Sequence, residues 1–250
     1  MKYKYNVTAR YIGDTCIFKV VTMKNTTSFL FLIAAFIFVS AGKSQAQYSI
    51  GIRGGINFAN FKPGAIFYYD ARVGANVALL LNKPLNSVLS VQVEPGFSQR
   101  GARYDTYISG PQNGSVLSNE ETGKFLSNFI ELPILLQWKP RIGKFEGIVS
   151  LGPELRYRIG KMKLKYTSKV TYDNVVTKDE SGVVNTAGGF GQRTFDYGLT
   201  GGAGIAYPTK SFKIFGEARY HLGLRPLVEE LKMYNRGTSF HLGVLLPMGK

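Results

Sequence analysis

The feature that most constrains the fold is a repeated alternation of apolar and polar residues after residue 47. Eight such stretches follow one another along the chain. Because side chains alternate across a β-strand, each stretch has one apolar and one polar face. In the clearest stretch Ile130, Leu132 and Ile134 share a face, and Glu131 and Gln137 share the opposite one. The pattern predicts strands over most of the chain.

The connections between these stretches are alternately long and short. The long ones are residues 59–70, 101–127, 160–193 and 223–236, and the short ones are 82–87, 140–145 and 208–211. Barrels that span an outer membrane combine strands of roughly ten residues with short periplasmic turns and longer outer loops. Closure leaves no backbone group unpaired in the lipid. We therefore predict an all-β fold, an eight-stranded antiparallel transmembrane β-barrel with short periplasmic turns and long extracellular loops.

Within the eight stretches every charged residue lies on the polar face, which points into the predicted barrel. This predicted lumenal charge network consists of Arg53, Arg72, Glu94, Glu131, Glu154, Arg156, Arg158, Asp196, Glu217 and Arg219. An eight-stranded barrel is just wide enough for side chains to fill it, or to hold one small ligand. An unpaired buried charge costs several kcal/mol, so pairing is expected. The network is interpreted as a structural plug of ion pairs, with a conduction path as the alternative.

The first 46 residues are expected to lie outside the fold. From Met23 a basic start at Lys24 precedes an apolar run, and the small residues Ser44 and Ala46 follow it, as in a secretory signal peptide. The apolar run is shorter than the roughly 20 residues of a transmembrane helix. We predict an upstream, disordered segment at 1–22 produced by an early start codon, a cleaved signal at 23–46, and a barrel domain at 47–250. The expected location is the outer membrane.

Charge and cysteine content narrow the classes of partner. The net charge of +15 falls to about +10 when residues 1–46 are removed. No aromatic-basic nucleic-acid module is visible, so the basic balance indicates outer-membrane lipid and lipopolysaccharide, not nucleic acid. The sole cysteine, Cys16, lies upstream of the predicted signal, which excludes disulfides and thiolate metal sites in the mature chain. We expect no cofactor and no metal.

Two groups of residues invite a functional interpretation. The third long connection carries lysines that could bind lipopolysaccharide phosphates, with a solvated loop face as the alternative. These are Lys161, Lys163, Lys165 and Lys169. Ser239 lies close in sequence to His241, but spacing alone does not make a nucleophile and its base. We predict lumenal hydrogen bonding for this pair, and no catalytic residues.

Several glycine-rich segments carry a resemblance to a known family. They are YSIGIRGGINFANF at 48–61, FIELPILLQWKP at 129–140, EGIVSLGPELRY at 146–157, FDYGLTGGAGIAY at 195–207, IFGEARYHLGL at 214–224 and SFHLGVLLP at 239–247. With these segments the chain resembles the PorT-like outer-membrane β-barrel family of Bacteroidota over nearly all of residues 47–250. The resemblance implies a barrel with no assigned activity, and a link to secretion machinery through the member that names the family.

Two functional classes follow from these observations. The first is a non-enzymatic structural or interaction protein of the cell envelope, with an envelope or secretion protein as partner. The second is a porin-like barrel for small-solute transport or ligand binding. A lumen filled by paired charges favours the first class, and a continuous wet path favours the second.

Overall fold

The structure is a computed structural model that describes residues 48–62, 69–112, 115–186, 193–229 and 232–248. The predicted upstream segment and signal peptide lie outside these residues. Eleven strands are present: β1 Ser49–Lys62, β2 Asp70–Pro84, β3 Leu89–Val93, β4 Gly96–Gln112, β5 Ser115–Trp138, β6 Arg141–Ile142, β7 Phe145–Tyr172, β8 Val175–Asn185, β9 Phe195–Pro208, β10 Lys213–Val228 and β11 Met233–Pro247. None of the described residues forms a helix with the length and hydropathy needed to cross a bilayer.

All strands belong to one antiparallel sheet. β1 pairs with β2 on one side and with β11, from the other end of the chain, on the other side. β2 pairs with β3 and β4, both of which pair with β5, and β5 pairs with β7. β7 pairs with β9, β9 with β10 and β10 with β11. The predicted all-β antiparallel architecture is thus present.

The third predicted strand is interrupted and forms both β3 and β4. The break falls at Glu94 and Pro95 because proline has no N–H to give to the ladder. The pairing register is nevertheless the same on both sides, since Leu81 faces Val93 and Ala78 faces Gly96. The Pro95 carbonyl accepts the Leu79 N–H at 3.0 Å. β3 and β4 therefore follow one strand path with a local gap.

Three of the predicted long loops, 101–127, 160–193 and 223–236, are wrong, because most of their residues are strand; in the last of them β10 reaches Val228 and β11 starts at Met233. β4 and β5 continue as paired strands through 101–112 and 115–127, and β7 continues to Tyr172 before turning into β8. Asp173 and Asn174 both have positive φ, 44° and 66°, as a two-residue type I′ turn requires. Hydrogen bonds from Ser115 and from the Val116 N–H lower the pKa of Asp173 and tie this turn to β5.

The parts of β4, β5 and β7 that lie at the same end of the sheet as β8 form a four-stranded extension together with β8. We call this extension the hairpin sheet. About nine residues of each strand take part, a length of roughly 30 Å at the usual rise. Among the described residues β8 pairs with β7 alone, and β4 beyond Arg103 pairs with β5 alone. The hairpin sheet therefore has two free edges. We call this end of the molecule the hairpin end, and the opposite end the short-turn end.

Burial alternates along the strands as the sequence pattern predicts. In β2 the even-numbered residues from Gly74 to Asn82 are buried and the odd-numbered ones up to Leu81 are exposed. Two apolar clusters nevertheless lie on the buried face. One, near the hairpin end, comprises Phe61, Ala102, Phe129, Met162, Leu227, Val228 and Met233. The other, near the short-turn end, comprises Leu80, Ile148, Ala206, Phe215 and Leu245.

Glycine on the buried face allows neighbouring backbones to approach closely. A Cβ atom at Gly152 would overlap the carbonyl oxygen of Ile134 on β5, whereas at Gly54, on the exposed face of β1, the nearest atom would be 3.9 Å away. At Gly202 a Cβ atom would meet the Ala218 carbonyl oxygen and the Arg219 side chain, so this glycine also makes room for an arginine. Most of the other buried-face glycines face backbone atoms of the adjacent strand.

We expect Gly152→Ala to lower the free energy of unfolding by at least about 2 kcal/mol, because the new methyl group displaces a strand. Gly54→Ala is the matched control and should change stability by less than about 0.5 kcal/mol. Urea unfolding of the purified protein in detergent micelles measures both. Equal stabilities of the two variants would contradict the close strand approach.

Candidate functional site

The buried face carries nearly all of the charged residues singled out from the sequence. Arg72 is half-buried, with its Nη1 donating to the Arg100 carbonyl at 2.7 Å. The remaining nine are buried: Arg53, Glu94, Glu131, Glu154, Arg156, Arg158, Asp196, Glu217 and Arg219. Strand alternation puts them on this face, and the pairing of the strands brings all of them except Arg158 into two ion clusters.

Glu94 is the centre of the first ion cluster. Its carboxylate accepts from Arg53 Nε at 2.7 Å and from both terminal nitrogens of Arg219, at 2.6 and 2.7 Å. Gln92 Nε2 donates to it at 2.6 Å. Arg219 also binds Glu217 at 2.7 Å, and Glu217 accepts the Ser150 hydroxyl. One fully buried carboxylate thus connects strands β1 and β10.

The second ion cluster is built around Glu154. Arg156 donates to Glu154 at 2.5 Å and to Asp196 at 2.8 Å. Arg100 donates to Glu131 at 2.5 Å and to Glu154 at 3.2 Å. Side chains from β4, β5, β7 and β9 meet here, and none is more than 6% exposed.

Arg100 is a member of this network that the sequence reasoning missed. In the third stretch the alternation is clear from Leu89 to Ser98, and the predicted loop begins at residue 101, so Arg100 lay between the two and was left out of the predicted network. It is 1% exposed. Continuing the alternation from Glu94 by even steps to residue 100 was the signal available in the sequence.

Two histidines and a serine connect the ion clusters. Arg53 Nη1 lies 2.8 Å from His241 Nδ1, and His241 Nε2 lies 2.6 Å from Ser239 Oγ. Ser239 Oγ lies 2.7 Å from His221 Nε2, and His221 Nδ1 lies 2.9 Å from Glu154 Oε2. Because arginine can only donate and a carboxylate can only accept, one assignment satisfies these four contacts. Arg53 donates to His241, His241 to Ser239, Ser239 to His221 and His221 to Glu154, so each histidine carries one ring proton and is neutral. Arg100 Nη2 also lies 3.1 Å from His221 Nδ1, but in this assignment that nitrogen donates to Glu154 and does not accept from Arg100.

Three members of this series of hydrogen bonds, Glu154, His221 and Ser239, follow the order of the acid, the histidine and the serine in a catalytic triad. Ser239 is 0% exposed, and its oxygen also contacts His241. A nucleophile needs room for a substrate beside it, and this hydroxyl is enclosed by its partners. The geometry therefore matches a structural connection between the ion clusters.

The network is close to neutral. The arginines Arg53, Arg100, Arg156 and Arg219 face the carboxylates Glu94, Glu131, Glu154, Asp196 and Glu217.

Near the short-turn end a cavity of about 10 Å³ remains beside Gln92 and Phe215. That is the scale of a single water molecule. The described residues contain no group of three or more His, Cys, Asp or Glu placed to hold a metal ion.

The four lysines singled out from the sequence all lie in β7 and are all exposed. Lys161, Lys163 and Lys165 lie at the base of the hairpin sheet. Lys169 is nearer its tip, where the strand register puts it between Glu120 of β5 and Asp179 of β8. The structure thus separates Lys169 from the other three.

The matching family is described as the outer membrane protein beta-barrel domain, and the match covers residues 43–229. The chain belongs to this family, which agrees with the location and barrel class predicted from the strand pattern. None of the curated proteins matches the chain.

Among solved structures, the chain is similar to the attachment invasion locus protein Ail of Yersinia pestis, with 14% identity and a TM-score of 0.36 over 81% of this chain and 99% of that one. Neisserial surface protein A gives 11% identity and a TM-score of 0.37 over 81% and 97%. A major outer membrane protein of Thermus thermophilus gives 13% and 0.38 over 81% and 99%. These likenesses are too weak to assign a role.

We expect Glu94→Gln to lower the free energy of unfolding by about 3 kcal/mol, because Arg53 and Arg219 would lose a shared buried counter-charge. Glu120→Gln removes a charge from an exposed strand position and is the matched control. It should stay within about 0.5 kcal/mol of the native protein. Equal unfolding midpoints in urea for the two variants would contradict the role given to Glu94.

Proposed function

We propose that this protein is a closed, eight-stranded outer-membrane barrel with a plugged interior, which acts without catalysis as a structural or interaction protein of the cell envelope. The observation that carries the proposal is the filled, charge-paired buried face. A barrel whose interior is occupied by its own side chains has to act through its outer surfaces.

The strand pairings support closure with eight strands. The pairings lead from β1 through β2, β4, β5, β7, β9, β10 and β11 and back to β1. β3 shares the register of β4, so the two count as one strand of the barrel. β6 is two residues long, and β8 lies beyond the β7–β9 ladder. These features account for eleven strands in an eight-stranded barrel.

The exposed face supports insertion into a bilayer. Leu242 is 73% exposed and Leu151 is 62% exposed, as part of a band of large apolar side chains that a water-soluble monomer rarely exposes. Exposed aromatic residues flank this band. They are Tyr48, Trp138, Phe145 and Tyr207 towards the short-turn end, and Tyr157, Tyr197, Tyr220 and Phe240 towards the hairpin end.

The spacing of the aromatic residues also fits a membrane. Phe145 and Tyr157 lie on the same strand, about 40 Å apart along it, or about 30 Å along the membrane normal at the usual tilt. Short turns face the periplasm in such barrels. The hairpin sheet then projects outside the cell.

Three layers of side chains make up the proposed plug. Apolar side chains cluster near the hairpin end and near the short-turn end, with the ion clusters between them. Arg100, Arg156 and Arg219 are among the largest fully buried side chains. Moving them aside would separate buried charges, which costs several kcal/mol for each ion. The porin-like alternative needs a wet path that these contacts occupy.

The hairpin sheet is the surface we assign to protein contacts. Along its edges on β4 and β8, backbone groups have no pairing strand among the described residues, and a partner strand can add there. The resemblance to PorT-like barrels of Bacteroidota makes a secretion or other envelope protein the partner class to test. This assignment extends the proposal from the membrane to the cell surface.

The plug is tested by single-channel recording in planar bilayers. The full chain is expressed in a Gram-negative host and purified from its outer membrane. We expect insertion, shown by heat-modifiable gel mobility and protease protection, without steady conductance. Steady conductance by the inserted protein would contradict the plug and favour the transport alternative.

The hairpin-sheet contact is tested by cysteine cross-linking in living cells. The native chain has Cys16 alone, in the predicted removed segment. Ser109→Cys and Ser181→Cys place a thiol near each free edge, and Lys210→Cys places the control at the short-turn end. We expect discrete envelope-protein adducts from the first two variants. The same adducts from Lys210→Cys, or none from any variant, would contradict the assignment.

A further inference from the structure

A row of basic side chains crosses the base of the hairpin sheet. The strand register places Arg103 of β4 opposite Lys124 of β5, and Lys124 opposite Lys165 of β7. All three side chains are exposed. Side chains directly opposite in an antiparallel pair have Cβ atoms about 5 Å apart, and like charges in such pairs are destabilising. The folded protein therefore concentrates positive charge here at a cost.

Lys161 and Lys163 extend this row into what we call the basic cluster: Arg103, Lys124, Lys161, Lys163 and Lys165. Alternation along β7 places Lys161, Lys163 and Lys165 on one face. Among the described residues no carboxylate lies within 4.0 Å of any lysine of the cluster. Arg103 pairs with Asp105 at 2.6 Å, and this hydrogen bond raises the pKa of Arg103. The cluster keeps a net positive charge.

Asp105, and Asp70 of β2 opposite Arg103, lie beside the arginine of the cluster, but the other acidic residues near these strands lie closer to the tip. Lys169 faces Glu120 and Asp179 in the register, and Lys178 pairs with Glu180 at 3.1 Å. Lysines near the tip thus have acidic neighbours, whereas the lysines at the base do not. A charged face that served solubility alone would not need this separation.

The basic cluster lies at the level where the apolar band ends. On β7 Tyr157 and Ile159 are 58% and 45% exposed, and Lys161 follows on the same face. If Tyr157 lies at the outer interface, the next residues along the strand are at the depth of lipid headgroups. The cluster therefore faces the lipid headgroups from the side of the barrel.

We propose that the basic cluster binds the phosphate groups of a lipopolysaccharide molecule in the outer leaflet. This inference rests on the proposed outer-membrane orientation. Phosphate is the anionic group found at this depth in the outer leaflet, and a row of cations across three strands spans about 10 Å. Arg103 donates through Nε and Nη2 to Asp105, which leaves Nη1 to donate to a phosphate, while the lysines act as point charges. The ligand neutralises the repulsion between Lys124 and Lys165.

The test measures lipopolysaccharide binding to the full chain purified from outer membranes and freed of bound lipid. The protein is placed in vesicles of zwitterionic phospholipid and titrated with lipopolysaccharide or with its enzymatically dephosphorylated form. The combined variant Lys124→Gln, Lys163→Gln and Lys165→Gln is compared with the matched control Lys169→Gln, Lys178→Gln and Lys210→Gln, which loses the same net charge.

We expect the cluster variant to bind lipopolysaccharide about a hundredfold more weakly, since each basic residue near an anionic surface contributes about fivefold. The control should bind like the native protein, and dephosphorylated lipopolysaccharide should bind the native protein as weakly as the variant binds the intact lipid. Equal binding by both variants, or no effect of dephosphorylation, would overturn the proposal. Equally tight binding to phosphatidylglycerol vesicles would overturn it as well.

Membrane insertion is verified before every titration by heat-modifiable mobility. A native protein that fails to insert would contradict the barrel proposal itself. An inserted protein that binds no lipopolysaccharide would contradict this inference alone. The two failures are therefore distinguishable.

Discussion

Burying Glu94 and Glu154 in one sheet is feasible only because arginine side chains from distant strands meet them there. Both carboxylates are 0% exposed, and each accepts from more than one arginine. Removing one partner from such a pair leaves an uncompensated buried charge. The pairing register of the strands is therefore linked to the electrostatics, since a slip of one residue would turn these charges to the exposed face.

The same constraint explains why the interior is layered. Ion pairs are stronger where water is excluded, and the apolar clusters near the two ends supply that exclusion. Phe129, Met162 and Leu227 cover the charges on the hairpin side, and Phe215 with Leu245 lies on the other side. Sequence alternation identifies which positions face inward. It does not show that an inward apolar residue such as Phe129 belongs to a layer that excludes water, because in the alternating pattern that residue looks like an exception to the polar face.

Alternation made the strand faces and nine of the buried charged residues predictable, because lipid on one side and paired polar groups on the other leave a strong two-residue period. It could not predict the hairpin sheet, where both faces carry polar residues. It missed Arg100 because Pro95 and Gly101 obscured the end of the strand. The connection through His221, Ser239 and His241 depends on the register between β10 and β11, which no local pattern reveals.

The buried arginines and the exposed basic cluster differ in how their charge is compensated, and this difference supports a binding function for the exposed cluster. On the buried face the arginines form ion pairs with carboxylates, so their positive charge is compensated within the chain. At the base of the hairpin sheet, Lys124 and Lys165 face each other without an acidic partner among the described residues. A fold that compensates its buried charges so closely leaves this exposed positive charge available to a ligand outside the chain, and the adjoining apolar band supports our proposal that the membrane supplies that ligand.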